Sequence, residues 1–154
     1  MDYEAIVLRP DGSTELDTVD IPEYDPLPDL KAQRIQQSKS NLADYLASHP
    51  IPWTDGLTYS ITAEKQNQLM GKLMAATMAK AAGNPYELTW NSTGEVCKEW
   101  TLPDLSALAF AIDARVTALV TYQQTKEVEI RNAQTQEELD AIVVDYDSVK
   151  ETDA

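Results

Sequence analysis

The sequence contains few of the residues that most metal, redox and nucleotide sites need. Among 154 residues there is one cysteine, Cys97, and one histidine, His49. A single cysteine excludes an internal disulfide framework, and the two residues together exclude zinc sites built from cysteine and histidine alone. None of the five glycines falls in a phosphate-binding loop of the P-loop or dinucleotide type. No run approaches the ~18 apolar residues of a membrane span, and no signal peptide is recognisable at the N-terminus.

Basic residues are scarce as well, with 12 Lys and Arg against 26 Asp and Glu and a formal net charge of −14. Residues 1–29 hold nine acids against Arg9, and residues 137–154 hold seven against Lys150. The middle, residues 30–136, holds ten acids and ten bases and is neutral. This balance disfavours nucleic-acid surfaces and anionic membranes as partners. The two acidic ends are either solvated segments that favour solubility or a docking end for a basic partner.

The first 28 residues are predicted to form an arm and a linker rather than part of the core. Pro10-Asp11-Gly12 is a turn signal between two strand-like segments, because proline fixes φ, aspartate bonds to nearby backbone and glycine accepts a positive φ. It predicts a short β-hairpin, which is only marginally stable alone. Three prolines then predict a stiff, extended linker: Pro22, Pro26 and Pro28.

The body, residues 29–147, is predicted to be α+β and mainly helical. It should contain three main helices, a short C-terminal helix and a central β-hairpin at about 86–100. The predicted helix N-caps are Asp29, Thr62, Thr101 and Thr135. The three main helices are expected to end near Ser48, Gly83 and Asn132, and short strands are expected at 57–61 and 143–149. Residues 148–154 form an acidic tail, whose last residues are expected to fray.

The second helix contains three of the four methionines, Met70, Met74 and Met78, at helical spacing. The favoured interpretation is that they fill the core. The alternative is an adaptable apolar groove for a protein partner, since methionine re-packs readily around different shapes. The hairpin arm, with Ile6 and Leu8, is a second candidate contact that would act as an added strand. The polar end of the third helix, residues 123–131, is predicted to project from the body.

The residues with catalytic or metal-binding chemistry all have simpler explanations. His49 precedes a proline at a helix end, where it can bond to the last carbonyls. Cys97 has no nearby histidine to activate it, and Asp145-Tyr146-Asp147 lacks the glycine and the distal glutamate of an EF-hand. We therefore expect no enzymatic activity, no catalytic residue, no cofactor and no metal. Tryptophan and tyrosine could contact sugar, but Trp90 and Trp100 are predicted to be needed in the core.

Several segments taken together resemble an uncharacterised family of small tail-fibre-associated proteins of bacteriophages and prophages. They are Ile51-Pro-Trp-Thr-Asp-Gly56, Tyr59-Ser-Ile-Thr-Ala-Glu-Lys65, Leu88-Thr-Trp90, Trp100-Thr-Leu-Pro-Asp-Leu105, Tyr122-Gln-Gln-Thr-Lys126, Ile130-Arg-Asn-Ala-Gln-Thr135 and Glu137-Glu-Leu139. The resemblance covers about residues 30–147 and brings no catalytic motif. Its most specific part is the junction that leads from the long helix into Glu137-Glu-Leu139.

The resemblance implies an accessory role in tail-fibre assembly, as a chaperone that binds the fibre in the host cytoplasm. The alternative is a structural subunit of the phage tail, in the fibre, baseplate or connector, that stays in the virion. The implied partner is a phage tail-fibre protein, as a single chain or a trimer, and neither nucleic acid nor membrane is implied.

Overall fold

A computed structural model describes residues 2–20 and 22–151 of the chain. The fold is α+β and mainly helical, with three main helices, one short helix and three separate two-stranded antiparallel sheets. The predicted fraying of the last residues falls on 152–154, which lie outside the described residues. The elements are β1 (Asp2–Leu8), β2 (Thr14–Asp20), α1 (Leu27–Ser48), β3 (Ile51–Pro52), β4 (Thr58–Tyr59), α2 (Ala63–Ala82), β5 (Thr89–Trp90), β6 (Lys98–Glu99), α3 (Leu102–Asn132), α4 (Gln136–Asp140) and a 3₁₀ turn (Tyr146–Ser148).

The long helix α3 forms the centre of the body, and both α1 and α2 pack against it. Its inward stripe consists of side chains that are almost completely removed from solvent: Leu105, Leu108, Ile112 and Leu119. Leu42 and Leu46 of α1 meet this stripe from one side, and Leu69 and Ala76 of α2 belong to the same buried cluster. Burying a large aliphatic side chain contributes roughly 1.5–3 kcal/mol, so the stripe on α3 is a main source of stability.

The capping residues in the sequence predicted the starts of α2 and α3 correctly. Thr62 and Thr101 are the N-caps, and each threonine oxygen accepts a hydrogen bond, at 3.2 Å, from the backbone N–H three residues later. Gly83 ends α2 with φ of 70°, a left-handed conformation in which glycine has no Cβ penalty. Thr135 caps α4 by accepting from the N–H of Glu138 at 3.1 Å. These predictions are confirmed because a capping bond depends only on residues that are neighbours in sequence.

The prediction that α1 begins at an Asp29 cap after an extended linker is wrong. The helix begins at Leu27, and Pro26 occupies the cap position in a helical conformation, without a side-chain bond. Pro28 lies in the first turn, where its missing N–H would have had no helical partner in any case. The Asp25 carboxylate accepts from the N–H of Leu27 at 3.0 Å and so directs the chain into the helix. The extended linker before α1 is therefore shorter than predicted, because Pro26 and Pro28 belong to the start of the helix.

The prediction that the polar end of α3 projects from the body is also wrong. Gln123 and Glu127 are only 4% and 8% exposed, and Ile130 is fully buried. Gln123 Nε2 donates to Ser38 Oγ of α1 at 3.1 Å and to Glu127 Oε2 at 3.1 Å. Glu127 Oε1 also lies 3.7 Å from Lys39 Nζ. The polar middle of α1 thus meets the polar part of α3, and each satisfies the hydrogen bonds of the other.

The segment after α4 is not a strand, contrary to the prediction for 143–149. Tyr146 begins a 3₁₀ turn, and its side chain is buried against α1 and α3. Its hydroxyl donates to the backbone carbonyl of Ser38 at 2.6 Å. Burial raises the pKa of Tyr146 to about 12, so the hydroxyl remains a donor at all physiological pH values. One aromatic side chain therefore fastens the C-terminal segment to the helices.

The central hairpin is present, but each of its strands has only two residues. Thr89 pairs with Glu99 and Trp90 with Lys98. Trp90 is buried as predicted, whereas Trp100 is half-buried and remains partly accessible. The turn at Trp53–Gly56 and the short strand β4 are confirmed, with Gly56 at φ of 79° and its N–H bonded to the carbonyl of Trp53 at 3.0 Å.

By length and composition, α3 could cross a membrane. An 18-residue window of this helix has a mean hydropathy of 1.4, and 22% of that window is buried inside the described chain. Core helices pass the same test, and α3 packs its apolar stripe on α1 and α2. The helix also carries Asp113 and Arg115 at its middle. The expectation that no segment enters a bilayer stays a prediction.

Replacing Gln123 with alanine should lower the free energy of unfolding by about 1–3 kcal/mol, because Ser38 and Glu127 would lose a buried donor and a cavity would remain. Urea denaturation measures this change. The matched control is Gln124→Ala at the exposed neighbouring position, which should shift stability by less than about 0.5 kcal/mol. Equal effects of the two substitutions would contradict a buried role for Gln123.

The Glu127 contacts predict a pH dependence. The hydrogen bond from Gln123, together with the charges of Arg131 and Lys39, lowers the pKa of Glu127 from its ordinary value of 4.5, although desolvation opposes this. Ionised Glu127 therefore stabilises the fold above that ordinary value, and its contribution is lost as pH falls through the lowered folded pKa. The difference in unfolding free energy between wild type and Glu127→Gln should be largest near neutral pH and should shrink in acid.

Urea titrations at a series of pH values from neutral to strongly acidic measure that difference. The control is Glu129→Gln, which removes a surface ion pair with Lys126 and should change stability little at any pH. A difference for Glu127→Gln that stays constant across the series would contradict the assignment.

Candidate functional site

The three methionines of α2 form an exposed row on the surface of the body, which we call the Met stripe (Met70, Met74 and Met78). Their side chains are 59%, 62% and 65% exposed, so the favoured sequence interpretation, that they fill the core, is wrong. The core face of α2 instead consists of Leu69, Leu73 and Ala76. The apolar pattern of the helix is wide enough that the body covers only one side of it.

A small cleft of about 70 Å³ separates α2 from α3 beside the first methionine. Met70 lines this cleft together with Ala109 and Asp113 of α3. Phe110 lies directly after Ala109, shares a helix face with Asp113 and is 76% exposed. The two helices that border the cleft therefore each expose large apolar side chains, the Met stripe on α2 and Phe110 on α3. Clustered exposed apolar groups mark interaction surfaces, whereas isolated ones are common on any protein.

Phe110 was missed by the sequence reasoning, although it is the only phenylalanine in the chain. The available signal was its position outside the apolar stripe of α3, which follows Leu105, Leu108 and Ile112. A large aromatic side chain that lies outside the core-facing stripe of a helix does not point into the core. Its position therefore predicts that the side chain is exposed.

The N-terminal hairpin is the second candidate contact, and its predicted turn is confirmed. Gly12 adopts φ of 85°, and Asp11 Oδ1 accepts from the N–H of Ser13 at 2.9 Å. Ile6 pairs directly with Leu16, and Leu8 follows Ile6 on the same face. These three side chains are 73%, 67% and 72% exposed, respectively. The arm thus presents an uncovered apolar face.

The arm also presents open strand edges, because β1 and β2 form a sheet of two strands only. Each strand therefore has one edge whose backbone groups point away from the hairpin. Such an edge can pair with an extended segment of another chain. The first 29 positions hold nine acidic residues against one arginine, and this charge would oppose association with another acidic surface.

Of the residues considered for catalysis or metal binding, His49 and Asp145 have structural partners in the body. His49 Nδ1 lies 3.0 Å from the carbonyl of Tyr45, as predicted for a helix end, and its ring stacks on Tyr45 at 3.8 Å. Asp145 caps the 3₁₀ turn by accepting from the N–H of Asp147 at 3.1 Å. Cys97 is an exposed free thiol. In the part of the chain that the structure describes, no three His, Cys, Asp or Glu side chains converge on a metal site.

The comparisons with known proteins give a family and no function. No curated protein and no solved structure is significantly similar to the chain. Residues 28–144 match a family described as a domain of unknown function, DUF4376. The matched range begins within the first turn of α1, contains α2 with the Met stripe, α3 and α4, and leaves out the hairpin arm and the 3₁₀ turn at Tyr146–Ser148. Because this range covers well over half of the 154 residues, the chain belongs to the DUF4376 family.

Proposed function

We propose that this protein is a tail-fibre accessory protein of a bacteriophage, which binds the fibre chain as an assembly chaperone. The observation that carries the proposal is the exposure of all three methionines of the Met stripe along successive turns of α2. Methionine has a flexible, polarisable side chain that adapts to different partner shapes at little cost. A row of such residues on the surface suits a partner whose shape changes while it folds and trimerises.

The physical need for such a protein lies in the fibre. A fibre chain that has not yet assembled exposes apolar surface and unpaired strand edges, which lead to aggregation. The Met stripe would cover apolar surface, and an open edge of the hairpin arm would pair with a strand edge. Two different surfaces on one small protein therefore match the two kinds of exposed surface on the partner.

The phage context rests on the resemblance given above, and the family match covers nearly the same residues. The absence of enzymatic activity, cofactors and nucleic-acid partners belongs to the same proposal. The site of action is the host cytoplasm during assembly, where newly made fibre chains are present. The net charge of −14 would keep a complex with a partly folded partner from associating further.

Replacing Met74 with aspartate should reduce binding to the fibre chain at least about tenfold, because a carboxylate would be buried in an apolar contact without a partner. The measurement is the soluble fraction of the neighbouring tail-fibre chain when the two proteins are co-expressed, with pull-down as a second readout. The variant should fold normally, since position 74 is exposed in the free protein.

The matched control is Gln68→Asp, which adds the same charge at an exposed position on the same helix but outside the Met stripe. It should leave fibre solubility unchanged. If Met74→Asp kept full activity while circular dichroism showed a folded chain, the Met stripe would be the wrong surface.

A second candidate function is a structural subunit retained in the phage tail. The observation that favours it is the arm, whose apolar residues Ile6, Leu8 and Leu16 stay uncovered by the body. An arm that crosses to a neighbouring subunit would cover this face permanently. The two functions differ in what happens after assembly, since a chaperone leaves and a subunit stays.

Quantitative mass spectrometry of purified virions separates the two functions. A chaperone should be present in infected lysates and absent from mature particles, whereas a subunit should appear at a fixed copy number.

Deleting residues 1–21 should leave the melting temperature of the body within about 2 °C, because β1 and β2 pair mainly with each other. Under the second function, the same deletion should remove the chain from the particle.

A further inference from the structure

A solvent-open cavity of about 350 Å³ lies between the β3–β4 turn and the N-terminus of α3, on residues that the proposed function does not use. The turn provides Trp53, Thr54 and Asp55, and the segment that enters α3 provides Trp100, Asp104 and Ala107. The volume falls at the small end of the range for small-molecule sites, roughly 300–1,000 Å³. Two of the three tryptophans of the chain therefore line one opening together with two carboxylates.

The walls of the cavity are held in place by contacts behind it. The Trp100 ring packs edge-on against the buried Tyr59 ring, with centroids 5.6 Å apart. The Tyr59 hydroxyl donates to Asp55 Oδ2 at 2.6 Å, and the N–H of Leu57 donates to Asp55 Oδ1 at 2.9 Å. One aromatic wall and one carboxylate thus share a single buried support. A site whose side chains are already fixed loses little conformational entropy on binding.

The chemistry of the lining is mixed. The indole faces are apolar, the two carboxylates accept hydrogen bonds, and the Thr54 hydroxyl both donates and accepts. Among the described residues no buried side-chain nitrogen or oxygen lacks a partner, and no hydrogen bond from either indole N–H is found within that part of the chain, so neither of these donors is fully buried. A pyranose ring has the complementary pattern, with an apolar C–H face and a rim of hydroxyls that donate and accept.

Cations could also bind between aromatic faces and carboxylates. Here, however, groups of the chain itself already stabilise both carboxylates in the ionised form. The hydrogen bond from Tyr59 is the largest cause of the lowered pKa of Asp55, and the positive charge of Lys98 contributes to it. Asp104 lies in the first turn of α3, where the helix dipole supplies positive potential. Carboxylates compensated in this way retain acceptor capacity for hydroxyls but attract an external cation less.

We propose that this cavity binds a neutral saccharide, with a sugar ring stacked on Trp53 or Trp100 and its hydroxyls donating to Asp55 and Asp104. The site is independent of the Met stripe, which lies on α2. It adds a carbohydrate ligand to a chain whose other exposed features fit a protein partner. Neither function requires the other, so each can fail alone.

The test is a binding screen of the full chain against free glucose, galactose, mannose, rhamnose and N-acetylglucosamine, with choline as the cationic competitor. Tryptophan fluorescence measures affinity, and saturation-transfer NMR detects the ring C–H protons that contact the indoles. At least one sugar should bind saturably in the millimolar range, with its C–H face receiving the most saturation. Asp104→Ala should weaken that binding about tenfold or more, since it removes a charged acceptor.

Trp53→Ala and Trp100→Ala are tested separately, and the variant that removes the stacking indole should abolish the binding. Asp113→Ala is the control at an exposed position of α3, the helix of Asp104, outside the cavity. Asp104 is exposed, so Asp104→Ala should fold normally. Its sugar affinity therefore tests the proposal even if a tryptophan variant does not fold. The proposal is overturned if none of the five sugars binds, or if choline binds in their place. Sugar binding that Asp104→Ala leaves unchanged would overturn it equally.

Discussion

The arrangement of the body depends on one polar contact between α1 and α3. Ser38 accepts from Gln123 through its hydroxyl oxygen and from the Tyr146 hydroxyl through its carbonyl, so one turn of α1 is bonded to α3 and to the C-terminal segment. Sliding either helix by one turn would separate Gln123 from Ser38 and Glu127 from Lys39, at a cost of about 1–3 kcal/mol for the buried groups that lose these partners. Apolar packing on α3 provides the stability, while this contact determines the relative position of the helices.

The sequence predicted the features that depend on neighbouring residues and failed where distant segments meet. The caps at Thr62 and Thr101 and the turn at Gly12 need only three or four residues, and all of them were confirmed. The buried end of α3 could not be predicted, because Gln123 finds its partner 85 residues away, and a polar segment alone indicates solvent. Pattern reasoning assumes that burial means apolar contact, and this interface satisfies burial with hydrogen bonds.

The candidate surfaces also differ in how far the sequence predicted them, depending on whether neighbouring or distant residues form them. The sequence identified the Met stripe as a unit, but Leu69, Met70, Leu73 and Met74 form one broad apolar pattern, and only the packing shows which side α3 covers. The tryptophan cavity could not be read from the sequence, since Trp53 and Trp100 are brought together by two short sheets with no strong pattern of their own. The hairpin arm was predicted correctly because proline, aspartate and glycine determine its turn locally.

The boundary of the family match has a consequence for how this protein can diverge. The match begins at residue 28, within the first turn of α1, and the arm precedes it. Substitutions in β1 or β2 do not disturb the Ser38–Gln123 contact or the core of α3, so selection can change the arm without lowering the stability of the body. The arm of this protein can therefore change its exposed surface while the body keeps the packing on which its stability depends.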